Sequence, residues 1–61
     1  MVTKEEFIKK WESSNNKIKA IIAEGASIYT DKYELSNPNV RLFRNGVIIA
    51  EVFYNIIETV H

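Results

Sequence analysis

Val40-Arg41-Leu42-Phe43-Arg44, then Asn45-Gly46, then Val47-Ile48-Ile49-Ala50: the reading of these eleven residues decides the fold. Two runs rich in β-branched and aromatic residues flank an Asn-Gly pair. That is the strongest short-range signal for a β-hairpin, because both central residues of its turn need positive φ. Closure by a two-residue turn sets Phe43 opposite Ile48, Leu42 opposite Ile49 and Arg41 opposite Ala50. Large apolar groups then fall on both faces of the hairpin, and neither face is cleanly polar. Arg41 and Arg44 read first as edge-strand charges that discourage stray pairing.

Beyond the hairpin the chain is greasy. Ten of the fifteen residues from Val47 to His61 are apolar, and only Glu51 and Glu58 among them carry full charge. Ile49, Val52, Phe53, Ile56, Ile57 and Val60 fit the helical template, with Glu51, Tyr54, Asn55 and Glu58 elsewhere. The Val and Ile content pulls toward strand instead. Over this length spacing is the better guide, so a strand is predicted through Ala50 and a helix from Glu51. A long final strand is the alternative.

On the other side, Ser36-Asn37-Pro38-Asn39 reads as a turn, since Pro38 presets its own φ and keeps Asn37 out of the helical region. Ala26–Thr30 is a short strand by composition, whereas Asp31–Leu35 fits no single template. The N-terminal helix is the best-specified element. Thr3 and Glu6 make a capping box, Val2 and Phe7 occupy the positions of a hydrophobic staple, and Glu5–Lys9 and Glu6–Lys10 pair in the favourable order. Phe7, Ile8 and Trp11 form its apolar stripe. The polar quartet Ser13-Ser14-Asn15-Asn16 allows two readings. One bent helix can run to Glu24, with Ile18, Ile21 and Ile22 joining the stripe and Gly25 beyond its end. Alternatively the quartet is a turn that caps a second helix over 17–24. The single helix is preferred, and a strand over 17–23 ranks below both.

The expected architecture is therefore α+β, a single small domain over residues 1–61: an N-terminal helix packed on a small antiparallel β-hairpin or sheet, then a C-terminal apolar segment in helical form. Trp11, Ile18 and Ile22 are expected to pack on Leu42 or Phe43, Ile49, Val52 and Ile56.

Composition narrows the chemistry. A chain of 61 residues buries only about 60% of its unfolded surface, and its core alone supplies roughly 3–5 kcal/mol. There is no cysteine and one histidine, His61, at a chain end where fraying is the rule. Neither a disulfide nor a Cys/His metal site can be assembled, and no metal or other cofactor is expected. Nor is a catalytic residue: Glu5/Glu6 read as a dipole-favoured first helical turn, Glu51/Glu58 as the solvated side of the tail, and both glycines serve the backbone. An enzyme is not expected. Eight basic and eight acidic side chains cancel, which argues against a dedicated nucleic-acid binder. The charged start has no apolar run after it, and Glu51 and Asn55 interrupt the tail, so a cytoplasmic protein without a signal peptide or membrane span is expected.

What remains is binding. So much apolar surface on so short a chain points to a non-enzymatic protein-interaction module that self-associates as a homodimer or higher homo-oligomer, or completes its core on a larger protein. By composition it resembles the short inhibitors and adaptors of host proteins that phages and mobile elements encode, an analogy only. Tyr29, Tyr33, Phe43 and Tyr54 are candidate partner-binding residues, being of hot-spot type, and Arg41 and Arg44 suit a polar rim. Each tyrosine hydroxyl needs a partner, so all three tyrosines are expected to be partly exposed. The alternative is a small winged-helix-like nucleic-acid-binding regulator, with residues 4–24 as helix-turn-helix and the Arg41–Arg44 hairpin as wing.

Overall fold

The computed structural model describes residues 2–61. Helix α1 (Lys4–Ser13) is followed by strands β1 (Lys19–Ala23), β2 (Ala26–Thr30), β3 (Lys32–Leu35), β4 (Asn39–Arg44) and β5 (Val47–Phe53), one turn of 3-10 helix (Tyr54–Ile56) and a last strand, β6 (Ile57–Val60). The strands form two antiparallel three-stranded sheets, in the orders β2-β1-β6 and β3-β4-β5. The α+β expectation holds, with one helix and two small sheets.

β2 and β3 are one strand bent at Asp31. The Asp31 amide donates to the Phe43 carbonyl (3.0 Å), so pairing with β4 begins at the bend. The fully buried Thr30 hydroxyl reaches the carbonyls of Phe43 (2.6 Å) and Lys32 (2.9 Å) and fixes the corner from inside. One strand thus serves both sheets, and the two fold over a shared core. With β2 and β3 counted as one bent strand, the arrangement is two small antiparallel sheets sharing that strand, with a 3-10 turn ahead of the last strand and one N-terminal helix. Folds of this kind host many unrelated functions, so the architecture alone names none.

α1 starts as its sequence dictates. The Glu6 amide donates to the Thr3 hydroxyl oxygen (3.1 Å) and the Thr3 amide to Glu6 Oε1 (2.9 Å), completing the capping box. Val2 and Phe7 are both buried in the core. The hydrogen bond from the Thr3 amide, then that from its side chain, holds the Glu6 carboxyl below its ordinary 4.5. A depressed folded-state pKa gives stability that is complete above the unfolded value and lost as pH falls through the folded one. Glu6→Gln, which can still accept from Thr3, is therefore expected to lose less melting temperature than the parent on acidification below pH 4.5. Equal losses would remove Glu6 from the cap.

The helix does not run on to Glu24. Ser14 is extended, its amide donates to the Trp11 carbonyl (3.2 Å), and its Oγ accepts from the Asn16 amide (3.3 Å). Such local bonds give the polar quartet an alternative to the helical ladder. Residues 19–23 form the strand that ranked last by propensity, paired on both sides by β2 and β6. Ile21 and Ala23 alternate into the core while Ile22 is half-buried on the other face. Pairing on both sides outweighs the helix preference of Ala and Lys, a tertiary override. No second helix forms over 17–24, so the helix-turn-helix geometry is absent.

Glu24-Gly25 is a hairpin turn, not a helix end. Glu24 (φ 49°) and Gly25 (φ 79°) join β1 to β2 as Asn45 (φ 53°) and Gly46 (φ 79°) join β4 to β5. Glutamate has no side chain suited to that region, which costs an L-residue roughly 1–2 kcal/mol. Glu24→Asn is expected to raise stability by about 1 kcal/mol, read from a urea midpoint; a fall would mean that the Glu24 side chain supports the turn.

The β4–β5 hairpin forms with a shifted register. Phe43 faces Ile48 as predicted, but Leu42 then faces Ala50 and Arg41 faces Glu51, leaving Ile49 as the extra residue of a β-bulge. The bulge restores a clean alternation: Val40, Leu42 and Val52 point into the core, and Arg41 and Glu51 point out.

The C-terminal helix is not there either. β5 continues to Phe53, and the tail closes as β6, antiparallel to β1. The helical spacing in the sequence arises because a single 3-10 turn separates two alternating runs, and β-branched Val and Ile keep both runs extended. His61 is not frayed: its amide and carbonyl exchange 2.9 Å hydrogen bonds with Ala20.

The buried core comprises Val2, Phe7, Ile21, Ala23, Val40, Leu42, Val52, Tyr54, Ile57 and Val60, with Trp11, Tyr33 and Ile56 packed against it. Of the expected core, Leu42 and Val52 are buried, Trp11, Ile22 and Ile56 are half-buried, and Ile18 and Ile49 are exposed. Ile18 is exposed because the long helix that would have carried it onto the α1 stripe does not form, and Ile49 because it is the extra residue of the bulge.

Candidate interaction edge

β5 is the outer strand of its sheet, paired with β4 on one side only. Its seven residues include Val47, Ile48, Ile49 and Phe53, exposed by 62%, 47%, 44% and 51%. Four of the seven exposed large hydrophobics among the described residues thus lie on one free edge. They are exposed for identifiable reasons. Val47 adjoins the turn, Ile48 pairs with the outward Phe43, Ile49 is the bulge, and Phe53 pairs with Asn39 on the outer face. Backbone groups of an edge strand and apolar side chains beside them are the two ingredients of strand addition.

The outer face of this sheet carries a charged belt. Arg41 Nη1 lies 2.8 Å from Glu34 Oε1 and its Nε 3.8 Å from Glu51 Oε1, so one guanidinium on the central strand bridges an acid on each neighbour. All three groups are substantially exposed, and such pairs contribute at most about 1 kcal/mol each. Lys32 Nζ stands 5.6 Å from the centre of the Phe43 ring. The belt separates Phe53 from the Phe43–Ile48 pair near the turn.

The six partner-binding candidates are not brought together. Arg41 and Phe43 share the outer face of β4, and Arg44 is exposed at its end. Tyr29 is exposed on the other sheet. Tyr33 is half-buried and turned inward, in T-shaped packing with Phe7 (centroids 5.2 Å) and Trp11 (4.8 Å). Tyr54 is buried rather than partly exposed, because its hydroxyl finds a partner inside the chain and donates to the Ser36 carbonyl (2.8 Å). Val47, Ile48, Ile49 and Phe53 were absent from the candidates. Their signal was the register of the hairpin, which left large apolar groups on both faces.

An open polar cleft of about 620 Å³ lies elsewhere, between the end of α1 and β6, with Lys9, Lys10, Asn16, Thr59 and His61 among its lining residues. Small-molecule sites are typically enclosed and mostly apolar, and this cleft is neither. Among the described residues no three acidic or histidine side chains gather closely enough to hold a metal ion. No helix among them is long and apolar enough to cross a membrane. Comparison with protein-family models, curated proteins and solved structures returns no match.

Proposed function

We propose that this chain is a non-enzymatic interaction module whose first partner is a second copy of itself, docked along the free edge of β5. The observation that carries the reading is the concentration of exposed Val47, Ile48, Ile49 and Phe53 on one strand with a free edge. Edge strands that avoid pairing are short, charged or interrupted by proline. β5 has seven residues, one acid and no proline; the bulge at Ile49 is its only other interruption. Like copies approach without net repulsion, since the chain carries no net charge. A domain of this size also gains most from burial contributed by a neighbour, as its own core supplies little.

Light scattering at rising micromolar concentration tests the proposal. The parent is expected to exceed the mass of one chain, and the double variant Ile48→Lys, Ile49→Lys to return to it with an unchanged circular dichroism spectrum. Both side chains are exposed, so charge there leaves the fold intact while opposing strand addition. A parent of one-chain mass throughout the range removes the proposal.

A further inference from the structure

Asn45 is the one asparagine followed by glycine; the other five precede Asn16, Lys17, Pro38, Val40 and Ile56. Both turn residues are exposed. Nothing lies within 4 Å of where a Gly46 Cβ would stand, so the turn is open to water and buffer bases. The Asn45 amide donates to Asp31 Oδ2 (3.0 Å), which holds the backbone of the turn. Among the described residues neither the Asn45 side chain nor the Gly46 amide has a hydrogen-bond partner. The side chain is free to rotate and the nitrogen that would attack it is unengaged.

We propose that Asn45-Gly46 is a self-modification site in the folded protein, where Asn45 converts to isoaspartate and aspartate. The Gly46 amide gives its proton to solvent base and its nitrogen bonds to Asn45 Cγ. The Cγ–Nδ2 bond then breaks, and the departing nitrogen takes up a proton and leaves as ammonia. The five-membered imide is opened by water. Addition at the Asn45 main-chain carbonyl reroutes the backbone through Cγ and leaves isoaspartate; addition at Cγ leaves aspartate. Oxidation states do not change, and water is the only co-reactant. Glycine permits this because the attacking nitrogen belongs to a residue without a Cβ. The consequence reaches the β5 edge. Isoaspartate lengthens a turn that closes on two residues, and either product sets a new carboxylate near that of Asp31. The β4–β5 hairpin therefore loosens as the protein ages.

The test is peptide mass mapping of the intact, folded chain aged in mildly alkaline buffer, beside a sample aged in urea. Asn45 is expected to gain acid in the folded sample at least about tenfold faster than any other asparagine, because only its neighbour lacks a Cβ. The products should be isoaspartate and aspartate together, and the aged protein should melt lower than fresh protein. Asn45→Gly, which keeps positive φ available and removes the amide, should not shift on ageing. Modification seen only in urea would overturn the proposal, because the fold would then protect the turn. Aspartate without isoaspartate would overturn the imide route.

Discussion

Phe7→Ala is expected to leave no cooperative unfolding transition at room temperature. Phe7 is the only residue of α1 buried completely, at 0% exposure. Its ring meets Tyr33 edge-on at 5.2 Å, Tyr54 at 6.0 Å and Trp11 at 6.0 Å, so it joins the helix to residues of β3 and of the 3-10 turn. Truncating a buried phenylalanine costs about 3–5 kcal/mol, which matches the whole net contribution of roughly 3–5 kcal/mol that so small a core makes. Urea titration followed by circular dichroism, run dilute so that self-association adds nothing by mass action, provides the check. A sigmoidal transition near the parent midpoint would mean that α1 only decorates the two sheets.

Thr30 should produce the second-largest effect, and the order of two variants carries the information. Thr30→Val keeps the shape and removes the hydroxyl, so the interior side of the corner loses its donor to Phe43 and Lys32. A buried polar group left unpaired costs about 1–3 kcal/mol, and the lower half of that range is expected because the Phe43 carbonyl keeps its hydrogen bond from the Asp31 amide. Thr30→Ser keeps the hydroxyl and removes one methyl, worth about 0.8 kcal/mol. The valine variant should therefore be the less stable by urea midpoint. The reverse order would mean that the bend rests on packing and on the Asp31 amide, with the hydroxyl incidental.

These sites also mark where the sequence could and could not be read. The Thr3–Glu6 cap and the Asn45-Gly46 turn were legible because each is local chemistry: a side chain meets a backbone group a few residues away, or a turn demands positive φ. The bend at Asp31 was not, since it depends on a carbonyl twelve positions distant in β4. Glu24-Gly25 went unread as a hairpin turn because glutamate is not a residue that favours positive φ. β1 and β6 were hidden for a related reason. Their strand character comes from each other, through the Ile21–Val60 and Ile22–Thr59 pairs, and no window of sequence contains both.

The exposed β5 edge was half legible. That Val47–His61 is rich in apolar residues was plain, but not which of them the core takes: Ile57 is buried, whereas Ile49, expected in the core, is exposed beside Ile48 and Phe53. Which tyrosines would face outward was not plain. A hydroxyl signals only that a partner is needed, and Tyr54 finds one inside, at Ser36.

Amide hydrogen exchange along β5, compared between dilute and concentrated protein, tests the pairing of this edge most directly. Amides of Val47–Phe53 that point away from β4 should exchange more slowly as concentration rises, while those of α1 keep one rate throughout. Exchange along β5 that ignores concentration would contradict strand addition at this edge, whatever mass the protein shows.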